Sequence, residues 1–180
     1  LDGTLVDTAP DLIVAHNHVM KKFGFSTKSS EDIKSLVGMG AKTMMGRSLW
    51  NSAKQELKKI TEKDIKEKMV KEFISYYSNN ILVKSKLIDG VEDFLIWCKK
   101  NKISMAVCTN KQEHLAIDLL KKIKINKYFD YVAGCDTFEY CKPDARHLTS
   151  VVEIVGGDLK KSIMIGDSDV DAKSAENASF

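Results

Sequence analysis

Leu1-Asp2-Gly3-Thr4-Leu5-Val6-Asp7-Thr8 is the stretch from which the rest of the chain is read. An acidic residue followed at once by Gly and Thr makes a backbone turn that Gly tolerates readily, and it sets a carboxylate beside exposed N–H groups. Leu1 reads as the tail of a buried strand. Three later stretches are built to converge on this one: Val107-Cys108-Thr109-Asn110, Lys142-Pro143-Asp144 and Gly166-Asp167-Ser168-Asp169-Val170-Asp171. A hydroxyl, an amine and a carboxylate cluster, each following an apolar run, are the parts that a phosphoryl-transfer site needs.

The elements between these stretches follow from hydrophobic spacing. Residues 11–23 carry Leu12, Ala15, Val19, Met20 and Phe23 at helical intervals, with Asp11 as N-cap and Gly24 as the stop. A short helix over 30–37, capped by Ser29 or Ser30, precedes two longer ones over 41–59 and 61–79. The last of these has Ile65, Met69, Phe73 and Tyr76 on one stripe. The pattern changes at 85–90, a polar, turn-forming linker. Beyond it, helices over 91–100, 111–123 and 144–155 alternate with strands over 103–108, 129–133 and 162–165, the first of these strands buried on both faces.

Strands alternating with helices predict an α/β fold: a Rossmann-like parallel sheet with helices on both faces, plus an all-helical cap inserted after the first stretch. The domains read as 1–10 with 85–180 for the core and 11–84 for the cap. Ligands of such sheets sit at the carboxyl ends of the strands, where Asp2, Thr109 and Asp167 are all expected.

Composition narrows the function. Of 180 residues, 43% are hydrophobic and 29% charged, as in an ordinary globular protein, and the formal net charge is only +3. The lysines alternate with acids, as over 55–72, which marks a solvated helix face and argues against a nucleic-acid partner. No apolar run approaches the roughly 18 residues of a membrane span. The cysteines at 98, 108, 135 and 141 form no C-x-x-C pair and no metal-ligand spacing with the four histidines, which fits a reduced, cytoplasmic setting.

Asp2-Gly3-Thr4, Thr109-Asn110, Lys142-Pro143 and Gly166-Asp167-Ser168-x-x-Asp171, in this order, resemble the four motifs of the haloacid dehalogenase superfamily of aspartate-nucleophile phosphatases. The resemblance implies an Mg²⁺-dependent phosphatase working through an aspartyl-phosphate intermediate. It places the nucleophile at the position immediately before Leu1, so that residues 1–180 read as a fragment not expected to complete the reaction alone. Asp2 would be the general acid and then the base. Gly3, Thr109 and Asn110 would hold phosphoryl oxygens, and Lys142 would neutralise them. Mg²⁺ would be held by the nucleophile, by Asp2 through its backbone carbonyl, by Asp167, and by Asp171 directly or through water. Cys141 departs from the pattern, standing where the family often has Arg.

Substrate choice would lie in the cap. Asp7-Thr8-Ala9-Pro10-Asp11-Leu12, and Gly38-x-Gly40-Ala41 with Arg47 and Leu49, resemble the bacterial phosphoglycolate phosphatases of this superfamily. Gly40 and Arg47 are the candidate substrate contacts, since a guanidinium fork suits a carboxylate. The implied ligand is a small phosphorylated metabolite, 2-phosphoglycolate first, with a pyrophosphate or a sugar phosphate as alternatives. The implied assembly is a monomer or homodimer. A reading of another class is a phosphate-binding protein without catalysis. His16, His18, Trp50 and Trp97 read as structural.

Overall fold

In chain order the elements are β1 (Val6–Asp7), α1 (Ala9–Lys22), α2 (Ser30–Lys34), α3 (Ala41–Glu56), α4 (Glu62–Asn79), β2 (Lys86–Leu87), α5 (Val91–Lys100), β3 (Ala106–Cys108), α6 (Glu113–Lys122), β4 (Tyr131–Ala133), α7 (Ala145–Ile154) and α8 (Asp169–Asn177). This computed structural model describes residues 1–56 and 62–180, with side chains for 1–48 and 64–180. The expected helical residues over 57–61 and the side chains of Leu49 and Trp50 lie outside the described residues. The fold is α/β, and the chain divides into two compact units: Leu1–Asp7 with Lys86–Phe180, and Thr8–Ser85.

Among the described residues, the Thr8–Ser85 unit is built from helices without a strand. Its core takes Leu12, Ala15, Val19 and Met20 from α1, Ile33 from α2, Met44 and Met45 from α3, and Met69, Phe73 and Tyr77 from α4. The helical stripe of α4 therefore ends on Tyr77 and not on Tyr76, which stacks on the His18 ring with centroids 4.0 Å apart. Asp11 is not the N-cap of α1. Thr8 precedes the helix and Pro10 occupies its first turn, where a missing N–H costs nothing. This leaves the buried Asp11 carboxylate to accept from the N–H groups of Val83, Lys84 and Ser85 and from the Ser85 hydroxyl. Ser29 caps α2 by accepting from Asp32 N.

In the other unit, β3 and β4 form a parallel pair, with Ala106, Val107 and Cys108 opposite Tyr131, Val132 and Ala133. Leu95 and Cys98 of α5, Leu115, Leu119 and Leu120 of α6, and Leu148 and Val151 of α7 fill the core around it. A second ladder joins Val6 to Leu87 and Asp7 to Lys86, antiparallel. The sequence reading took that stretch as linker, because two residues are too few for a periodicity to show.

Two strand expectations are corrected. The strand expected over 103–108 is confined to Ala106–Cys108. Ile103 is 41% exposed, and the Asp130 carboxylate takes the Ser104 hydroxyl and Met105 N–H in place of sheet bonds. The strand expected over 162–165 does not form. Ile163 and Ile165 are 79% and 54% exposed, and no strand among the described residues supplies the ladder bonds an extended segment needs. Leu1 opens a tight turn, its carbonyl accepting from Leu5 N and Val6 N. No helix among the described residues is long and apolar enough to cross a membrane.

Candidate active site

The first turn holds its shape through Gly3, whose φ of +77° favours glycine and whose N–H donates to Val6 O at 2.9 Å. A Cβ at this position would meet the Asp167 carboxylate, so the glycine leaves room for that side chain beside the first turn. Beside it the Thr4 hydroxyl donates to Asp167 Oδ1 at 2.6 Å.

Strand β3 delivers the next group. Past its end, Thr109 N donates to Ala133 O at 2.9 Å, which continues the parallel register. Thr109 is buried, and its Oγ1 accepts from Lys111 N at 3.1 Å, leaving the hydroxyl proton free to donate elsewhere. The Asn110 N–H has no acceptor among the described residues, while the Asn110 amide donates to Lys142 O at 3.2 Å. The Asn110 Oδ1 is buried without a partner among the described residues.

Lys142 and Asp171 form an ion pair whose side chains are 6% and 11% exposed. Burial pushes the Asp171 carboxyl up, but Lys142 and then Ser168 outweigh it and hold that carboxyl below its usual range. Its second oxygen accepts from the Ser168 hydroxyl at 2.6 Å and from Ser168 N at 3.1 Å, as half of the capping box that starts α8. Asp169, which the sequence reading took as a solvated acid, is exposed in the first turn of that helix.

Four stretches far apart in the chain are thus closed into a ring. Thr4 binds Asp167, Asp171 of the same loop binds Lys142, Lys142 binds Asn110, and Lys111 returns to Asp2, its Nζ 2.8 Å from Asp2 Oδ1. Leu1, at the start of the first of these stretches, is buried. Cys108, next to Thr109, is no rival nucleophile: burial pushes its thiol up to about 11, so it stays protonated at neutral pH.

Lys111 is the residue the sequence reading missed. It was absorbed into the helix expected over 111–123, although its place directly after Thr109-Asn110 was a visible signal. Gly40 and Arg47 belong to the Thr8–Ser85 unit. Gly40 has a φ of +81° just before α3, and Arg47 is exposed on that helix.

The oxygen-rich donor set suits a hard divalent ion, which takes one or two carboxylates and keeps several waters. Asp167 fits such an ion, because it is exposed and its Oδ2 accepts no hydrogen bond among the described residues. Asp171 is less exposed, with one oxygen on Lys142 and the other on the Ser168 cap. The Asp2 side chain meets Lys111 through Oδ1, and its backbone carbonyl is the group that would face the ion. Among the described residues no three His, Cys, Asp or Glu side chains form a group that could hold a metal by themselves.

The pattern of haloacid dehalogenase-like hydrolases matches this chain over residues 1–180. Over 178 residues the chain is 40% identical to the phosphoglycolate phosphatase of Agrobacterium fabrum, covering 99% of this chain and 74% of that protein. It is 35% identical to the phosphoglycolate phosphatase of Mesorhizobium japonicum over 178 residues, covering 99% of this chain and 76% of that protein. The crystal structure of a predicted phosphoglycolate phosphatase from Haemophilus somnus matches with a TM-score of 0.92 at 28% identity, over 99% of this chain and 79% of that one. A predicted phosphatase from Clostridium acetobutylicum shares the fold, with a TM-score of 0.82 at 22% identity over 98% and 77% of the two chains. On these grounds the chain belongs to the haloacid dehalogenase-like hydrolase family.

Proposed function

We propose that this chain carries the machinery of an Mg²⁺-dependent phosphatase for small phosphate monoesters, with 2-phosphoglycolate as its substrate. The observation that carries the reading is the closed ring of contacts that brings Asp2, Thr109, Asn110, Lys142 and Asp167 together. By the family resemblance, the aspartate nucleophile corresponds to the position joined to Leu1.

Each residue has a distinct task. The Thr109 hydroxyl and the Asn110 N–H donate to the non-bridging phosphoryl oxygens. Lys142, held by Asp171, sets a fixed positive charge against the charge that builds up as the phosphoryl group moves, and preorganised charge in a water-poor site is a large contribution to rate. Asp2 protonates the departing alkoxide and then takes a proton from the water that attacks the acyl phosphate, steps worth about 10² to 10⁴ in rate. The Asp167 carboxylate and the Asp2 carbonyl are the groups that would hold Mg²⁺, which when bound offsets the repulsion between carboxylates and a phosphate dianion.

Thr8–Ser85 acts as the cap that selects the substrate, with Arg47 as the anchor for its carboxylate. Support for 2-phosphoglycolate comes from the relatives named phosphoglycolate phosphatase at 35% to 40% identity. The test is phosphate release by the intact protein from 2-phosphoglycolate, pyrophosphate, a sugar phosphate and an aryl phosphate, with Mg²⁺ and after chelation. The reading predicts the highest kcat/KM for 2-phosphoglycolate and loss of activity on chelation. Preference for pyrophosphate or a sugar phosphate overturns the substrate, and no turnover on any of them overturns the enzyme.

A further inference from the structure

Lys111 stands outside the motif positions, yet it is built into the site more tightly than an incidental lysine. Its N–H donates to Thr109 Oγ1 at 3.1 Å and its carbonyl accepts from Cys135 N at 2.9 Å, so the backbone is fixed on both sides. Its side chain is 6% exposed and ends 2.8 Å from Asp2 Oδ1, and the Asp2 side chain is 8% exposed. A lysine is rarely buried this far without a partner. An apolar residue of similar volume commonly stabilises a fold as well as a buried ion pair does, so stability alone does not account for the pair.

We infer that Lys111 is a positioning residue for Asp2. The ammonium fixes Oδ1 and so sets the rotamer in which the other oxygen of Asp2 meets the bridging oxygen of the substrate. The approach of Asp2 to the leaving group is then determined by a side chain from the β3–α6 loop and not by the flexible first turn alone. This rests on the reading of Asp2 as the general acid. A proton matters for an alkoxide leaving group such as that of 2-phosphoglycolate, and matters little for a nitrophenolate, which departs as a stable anion.

The test uses the intact protein and the variants Lys111→Met, Lys111→Arg and Asp2→Asn. First-turnover release of glycolate and of nitrophenol is measured, which separates departure of the leaving group from later hydrolysis of the phosphoenzyme. KM is measured for both substrates. Lys111→Met is expected to slow glycolate release about 10²-fold, the usual loss for a misplaced catalytic group, with nitrophenol release and both KM values changed no more than about threefold. Lys111→Arg is expected to recover part of the loss, and its own glycolate-to-nitrophenol ratio carries the test if the Met variant does not fold. Equal losses on both substrates by both Lys111 variants overturn the inference in favour of a packing role. A rise in KM for both at unchanged release rates overturns it in favour of a phosphate contact. If Asp2→Asn is itself unselective, the general-acid reading falls and the inference with it. If Asp2→Asn is selective and the Lys111 variants are not, only the inference falls.

Discussion

Replacing Asp11 with Ala removes one carboxylate that serves four donors, and the structure tells the four apart. Val83 is 68% exposed and Lys84 is also exposed, so water replaces Asp11 at those two N–H groups. Ser85 is 8% exposed, and its N–H and hydroxyl, now 2.8 and 2.7 Å from the carboxylate, lose their partner inside the protein. A buried donor left unsatisfied costs about 1 to 3 kcal/mol, which puts the two together at about 2 to 6 kcal/mol. Even the lower end lowers the thermal midpoint by roughly 4–8 °C in a chain of this size. Burial pushes the Asp11 carboxyl up, but the bonds from Ser85, Lys84 and Val83 outweigh it and hold the pKa below the usual value. The carboxylate's contribution is therefore present above a pH of about 4 and is lost as pH falls through the lowered pKa. Urea unfolding of wild type, Asp11→Asn and Asp11→Ala at neutral pH checks the cost, with Asn intermediate because it keeps one acceptor oxygen. A loss below about 1 kcal/mol for Asp11→Ala refutes the reasoning, because it means that Ser85 finds other partners.

Lys142→Ala and Asp167→Ala are each expected to abolish nearly all phosphatase activity in the intact protein while leaving it folded, a loss of about 3 kcal/mol or more in transition-state stabilisation. Near-normal turnover with saturating Mg²⁺ removes either assignment. Arg47→Ala should reduce kcat/KM for 2-phosphoglycolate far more than for an aryl phosphate without a carboxylate, and equal losses return Arg47 to the helix surface. Acidification should destabilise the fold through His16 and His147. Both are fully buried, and burial lowers both pKa values. The unfolded chain takes up protons near pH 6.5 that the folded chain refuses, so stability holds above about 6.5 and declines as pH falls from there toward the folded values. Unfolding midpoints between pH 7.5 and 5.5 check this, and a flat profile contradicts it.

How much of this was legible in the sequence depends on the range over which each feature is encoded. The helices were readable because Leu115, Leu119 and Leu120, or Leu148 and Val151, repeat at the helical interval within one segment. The site stretches were readable because each keeps its chemistry within a few residues. What was not readable depends on partners distant in the chain. Ile163 and Ile165 look like a buried strand, yet an apolar run becomes one only when another strand lies beside it. The Asp11 carboxylate looks like a helix cap until residues 83–85 arrive to use it. The Lys111–Asp2 and Lys142–Asp171 pairs are likewise invisible to spacing.

The central claim is that this ring of residues serves transfer of a phosphoryl group to a carboxylate at the position joined to Leu1. It is tested most directly by mixing the intact protein with 2-phosphoglycolate labelled in its phosphoryl group, quenching in acid during the first turnover, and measuring the label bound to protein. The account predicts near-stoichiometric label that hydroxylamine releases, as it does from an acyl phosphate, and that largely disappears in Lys142→Ala. Label stable to hydroxylamine, or steady turnover with no protein-bound label at any quench time, would contradict it.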